Sequence, residues 1–268
     1  MEKKSSFFWW KVALTGISFL GVIFFKSNIN WSDFCRNYID LSLCKEIAYD
    51  LSIGIFSAMI LVWFIDEIGN HIQEHKSKSK ERDTIKRFDK VLQKYIEKYI
   101  TMFYCVATPM DNRDFENVIM PENFTLRDMK DLHKPTLLLK EKWLGASVES
   151  FLQIELDLRK ELISLVERFD FDYYPQFPQL FLQFIQASLT YDSRLPILDV
   201  ANKYAGDKQL TDIIHHLLED DADSYYEKMI NGEDISGYIG VPYILLYELM
   251  RQERKLIIQY QAEIETLS

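Results

Sequence analysis

Two uninterrupted apolar runs occupy the N-terminal quarter of the chain, and amphipathic stripes of helical period fill most of the remainder. The first run spans about Phe7 to Phe25 and the second about Ile47 to Ile65, 19 residues each. A hydrocarbon core about 30 Å thick needs roughly 20 apolar residues in a helix, so both runs are expected to cross a bilayer. The first carries one charge, Lys11, beside Trp9 and Trp10. Indole rings and a snorkelling lysine suit the headgroup boundary. The second carries Asp50 near its start and Trp63 near its end. The first run ends Val22-Ile23-Phe24-Phe25-Lys26, which lacks the small-residue cleavage pattern of a signal peptide.

Beyond the second run, residues 71–84 are polar on all sides, as a solvated helical stalk requires. A core-facing stripe then begins at Ile85 and continues through Phe88, Leu92, Tyr95, Tyr99 and Met102, in steps of three and four. Residues 109–123, rich in Pro, Asn and Asp, read as a loop. Thr125 is placed to cap a short helix ending before Pro135, and a long helix is expected from Ser147. The stripe of that helix is Phe151, Ile154, Leu158, Leu162, Leu165 and Phe169. Pro175 and Pro178 mark a break and a new start, leading into an apolar helix over 180–189 that is too short to span. Further helices are expected at 197–205, 209–230 and 241–266, the second ended by Asn231-Gly232 and the third opened by Pro242. No strand alternation stands out. The expected fold is all-α: two N-terminal transmembrane helices, then a multi-helix cytoplasmic domain. Its parts are a membrane domain over 1–66 with an outer loop at 26–46, a basic stalk and first long helix over 67–106, and an acidic helical domain over 107–268.

Charge refines this picture. Residues 1–90 hold 13 Lys+Arg against 11 Asp+Glu, a net of +2, whereas residues 91–268 hold 18 against 30, a net of −12. So acidic a distal region is not expected to bind nucleic acid directly, because phosphate contact needs a basic face. Lys76, Lys78, Lys80 and Arg82 follow the second run, whereas the loop between the runs holds only Lys26, Arg36 and Lys45. Basic residues favour the cytoplasmic side, which puts both termini inside and the loop outside. The basic stalk is then positioned to grip anionic headgroups. Cys35 and Cys44 would face an oxidising space in a bacterial cell, either as a disulfide or as two free thiols. Cys105, in an apolar helical stretch, reads as a buried thiol.

In the second run, Asp50, Gly54, Ser57 and Ala58 share one helix face. Gly54 and Ala58 form a small-xxx-small pair, which lets helix backbones approach closely. The face either packs on the first run, or forms a self-association seam, or lines the wall of a pore. Other polar groupings are weaker. His71-Ile72-Gln73-Glu74-His75 fits the H-x-x-E-H zinc pattern, but the strands and distant carboxylate that accompany it are missing, so a solvated helix face is expected. His215 with Glu219, and His216 with Asp220, pair at helical spacing without an evident third ligand. Glu219, Asp220, Asp221 and Asp223 are therefore expected to form an acidic patch for a basic partner. No phosphate loop or nucleophile elbow is present. No metal, no cofactor and no catalytic residue is expected, and the chain is not expected to be an enzyme.

The layout of two spans, a small outer loop, a basic stalk and an acidic helical domain resembles the two-transmembrane effectors of bacterial anti-phage systems, including those encoded beside retrons. The resemblance is one of layout and carries no diagnostic motif. It implies a homo-oligomeric protein of the inner membrane, held silent by a cytoplasmic protein or protein–nucleic-acid complex, that permeabilises the bilayer on release. The alternative is a non-enzymatic tether or scaffold that recruits a cytoplasmic protein.

Overall fold

The computed structural model describes residues 2–26, 41–136, 145–200 and 203–267, with side chains at 2–9, 24–25 and 41–45 left aside. The chain is mostly helical and forms two compact units, Met1–Ser79 and Lys80–Ser268. Helix α1 is Glu2–Lys26, and helix α2 is Leu41–Ala107, which belongs to both units. No proline interrupts α2, and it stops where Thr108 precedes Pro109, since the residue before a proline is driven out of the α region. The guanidinium of Arg113 closes that end, donating to the carbonyls of Cys105 at 2.7 Å and Thr108 at 3.1 Å. Residues 41–46 are helical, so the outer loop expected over 26–46 is shorter on its C-terminal side.

The second unit packs the 85–107 stretch of α2 with α3 (Ser147–Arg168), α4 (Gln176–Thr190), α5 (Arg194–Val200), α6 (Leu210–Asp220), α7 (Ala222–Ile230) and α8 (Val241–Thr266). The stripe from Ile85 to Met102 is buried apart from the half-buried Tyr95, and Ile96 and Phe103 extend it. Aromatic rings dominate the core: Tyr99 meets Phe151 at 5.3 Å, Phe103 meets Phe124 at 5.2 Å, and Phe124 meets Tyr247 at 5.0 Å. Such tilted and edge-to-face pairs add about 0.5–1.5 kcal/mol each beyond their buried area. Glu81 of α2 takes the backbone N–H groups of Tyr173 and Tyr174, at 3.2 and 3.1 Å, which fixes the turn into α4. Cys105 is buried, as its setting implied.

Several expected boundaries shift. The helix expected over 197–205 ends at Val200, and the chain then forms a short antiparallel hairpin, β1 (Tyr204–Ala205) and β2 (Lys208–Gln209). Its turn is possible because Gly206 takes φ +65°, a conformation that costs glycine little. The single helix expected over 209–230 breaks at Asp221 into α6 and α7, and the turn buries Ala222. The short helix after Thr125 is a 3-10 segment over Arg127–Asp131, and Thr125 donates both its N–H and its hydroxyl to Asp128. By length and composition one described helix, α2, is able to cross a membrane; in α1 the described side chains give an apolar run over Trp10–Ile23, and positions 7–9 and 24–25 of the expected span lie outside them. Among the described side chains the two-span layout is met in full by α2 only.

Candidate functional site

In the first unit α1 and α2 form an antiparallel pair. Thr15, Ser18, Gly21 and Val22 of α1 meet the α2 face that carries Ala48, Tyr49, Ser52, Phe56 and Met59, all sheltered from solvent at least in part. A side chain at Gly21 would have its Cβ 2.8 Å from Ser52 Oγ, so the absent side chain is what allows the helices to come this close. Ser52 and Ser18 turn their hydroxyls back onto helix carbonyls, at Ala48 and Leu14, and so present little polarity to the seam. Phe19 meets Phe56 in a tilted ring contact at 5.5 Å, and Lys11 pairs with Asp66 at the end of the pair. Lys11, expected to snorkel to the headgroup boundary, thus has a carboxylate partner.

The Asp50, Gly54, Ser57 and Ala58 face lies on the other side of α2. With 3.6 residues per turn it is centred roughly opposite the face that meets α1. All four residues are exposed, and nothing lies within 4 Å of a Cβ built on Gly54. Packing of this stripe on the first helix, one of the three readings of the sequence, does not occur in this unit. Around the stripe, apolar side chains stand open: Leu51 is 64 % exposed and Phe64 68 %. The most apolar 18-residue window of α2 has a mean hydropathy of 1.9, and none of it is buried. The core helix of a soluble protein would bury such a window, and water-soluble surfaces rarely carry contiguous apolar patches this large.

Trp10 and Trp63 are exposed, and the side chain of Trp9 lies outside the described residues. Lys76, Lys78, Lys80 and Arg82 are exposed around α2. The pairing of Cys35 with Cys44 also falls outside the described residues and side chains. His71, Glu74 and His75 are exposed, with His71 Nε2 3.4 Å from Glu67. Asp220, Asp221 and Asp223 are exposed at the α6–α7 corner, but Glu219 is drawn away from them by Lys130, at 2.6 Å. His215 donates from Nδ1 to the Lys130 carbonyl at 2.9 Å. Among the described residues, no group of three His, Cys, Asp or Glu is gathered to hold a metal ion.

The second unit contains a polar cluster that the hydrophobic pattern does not announce. Glu155 of α3 and Glu253 of α8 are both fully buried. Arg194 Nη2 donates to Glu155 Oε2 at 2.6 Å, and Ser188 donates to Glu155 Oε1. Arg159 supports Ser188 at 2.9 Å, and Tyr99 Oη donates to Glu253 Oε2 at 2.7 Å. Burial, followed by the adjacent Glu155 charge, pushes the Glu253 carboxyl well above its ordinary value. Glu253 Oε1 receives no hydrogen bond. A proton on that oxygen, directed at Glu155, leaves each oxygen of the pair with a partner. The cluster draws side chains from α2, α3, α4, α5 and α8.

No family model, curated protein or solved structure matches this chain.

Proposed function

We propose that this protein is a membrane-embedded effector whose α1–α2 pair inserts into a bilayer and self-associates through the Asp50, Gly54, Ser57 and Ala58 face, perturbing the membrane when a cytoplasmic partner releases it. The observation that supports this best is the apolar window of α2, none of whose residues is fully buried, with a small-residue face left open opposite its contact with α1. In lipid, helices associate by close packing of small residues, and a carboxylate within the span favours a neighbour or water over hydrocarbon. Both termini are assigned to the cytoplasm of a bacterial cell by the basic flanks, and the role in anti-phage defence follows the resemblance of layout. A partner that binds the silent state better than the assembled one is sufficient to hold it in check.

The test is to produce the full chain in bacteria without any partner and follow membrane potential with a voltage-sensitive dye. Depolarisation is expected, together with its loss when α1 and the 41–66 part of α2 are exchanged for an unrelated two-span anchor. An unchanged potential would refute the effector reading. A passive tether is the second reading. It is favoured by the exposed acids Asp220, Asp221 and Asp223, which offer a recruiting surface that needs nothing from the spans. In that case the exchanged anchor retains full function.

A further inference from the structure

The second unit carries a cleft in which basic and imidazole side chains gather. It has a volume of about 690 Å³ and lies between the Lys130–Pro135 segment and the start of α6. Its walls include Lys130, His133, Lys134, Lys208, His215 and His216, against one acid, Asp212. Six basic or imidazole side chains thus meet within residues 91–268, whose net charge is −12. Two of the lysines are already engaged, Lys130 with Glu219 at 2.6 Å and Lys134 with Asp131 at 2.7 Å, and His215 lies 3.3 Å from Asp131 and 3.9 Å from Glu219. These ion pairs set the two ammonium groups in place at the wall. Lys208 and His216 are exposed and complete the rim. His133 is the least available, since burial pushes it down to about 4 and its Nε2 meets the Tyr243 hydroxyl at 2.9 Å. Thr211, Asp212 and Ile213, in the first turn of α6, also border the cleft, and no side chain caps that turn. The amides of that turn offer donors to an anion, with Asp212 in the same turn offsetting part of the helix field.

We propose that this cleft binds a phosphorylated small molecule of nucleotide size. Its volume falls within the range of roughly 300–1,000 Å³ usual for ligand sites. Lysine ammonium groups and helix amides are the donors that phosphate oxygens require. The proposal concerns the second unit alone and does not rest on the membrane reading.

The experiment is calorimetric titration of the full chain in detergent micelles with ATP, inorganic pyrophosphate and adenosine. ATP is expected to bind with a Kd below about 1 mM. Added salt should weaken it, and adenosine should give no heat. Binding by pyrophosphate as well as ATP assigns recognition to the phosphates alone, whereas ATP without pyrophosphate adds a contribution from the nucleoside; both support the site. Lys208→Glu and His216→Glu change exposed side chains, so folding should persist, and each should weaken ATP about tenfold. Absence of heat with both phosphate probes, equal binding of adenosine, or an unchanged Kd in the two variants would each overturn the proposal.

Discussion

Replacing Glu253 with glutamine is expected to make the second unit more stable at neutral pH and to remove one component of its pH dependence. A carboxyl held above its ordinary value in the folded state keeps its proton there and loses it on unfolding. Unfolding therefore releases a proton at any pH above the ordinary carboxyl value of 4.5 and below the raised one. In that window the unfolded chain binds fewer protons, and stability falls by about 1.4 kcal/mol for each pH unit. The contribution is fully present below the ordinary value and is lost as pH climbs toward the raised one. Glutamine is always neutral. Its carbonyl still accepts from Tyr99, and its N–H still reaches Glu155, so it copies the protonated acid. Melting curves of the full chain in detergent, followed by circular dichroism, check this. The variant should gain on the natural chain by roughly 3–6 °C per pH unit as pH rises from 5. A gap between the two curves that does not change with pH would show that Glu253 is not the group holding the proton.

Gly54→Leu and Gly21→Leu are expected to act in opposite ways, although each adds the same side chain to the first unit. A Cβ at Gly54 meets nothing within 4 Å, so leucine there leaves the α1–α2 pair intact. It fills the groove between Gly54 and Ala58 that would admit a second backbone, and it should abolish self-association and the depolarisation that depends on it. A Cβ at Gly21 meets Ser52 Oγ at 2.8 Å, so leucine there forces the two helices apart. Overpacking of this kind costs about 1–3 kcal/mol and should appear as a lower melting temperature of the first unit. Chemical cross-linking in native membranes separates the two effects. Higher bands should vanish with Gly54→Leu while the protein remains in the membrane. Persistence of those bands would show that the open face does not mediate assembly.

Much of the helical framework is legible because periodicity and breakers coincide along this chain. Helix α3 begins at Ser147, just ahead of the stripe that starts at Phe151, and α8 covers Val241–Thr266, opened by Pro242. The β1–β2 hairpin escapes the pattern because each strand has two residues, too few to alternate, although Gly206-Asp207 is a turn dipeptide typical of such connections. The break at Asp221 has no glycine or proline to announce it. The buried carboxyl pair does leave a trace. Glu155 follows Phe151 by four residues, and Glu253 follows Met250 by three and precedes Ile257 by four, so both acids lie within apolar stripes. An acid at a core position signals a buried partner, but only the fold brings the two together. The cleft leaves no trace at all, since residues 130–135 and 208–216 become neighbours only when α6 packs beside the 3-10 segment.

Membership of the apolar stretches of α1 and α2 in a lipid phase is the central claim. Washing membranes from cells that make the full chain with alkaline carbonate, then with detergent, tests it most directly. The protein should stay in the pellet through carbonate and leave it only in detergent. Release by carbonate alone, or recovery in the soluble fraction with no detergent present, would contradict it.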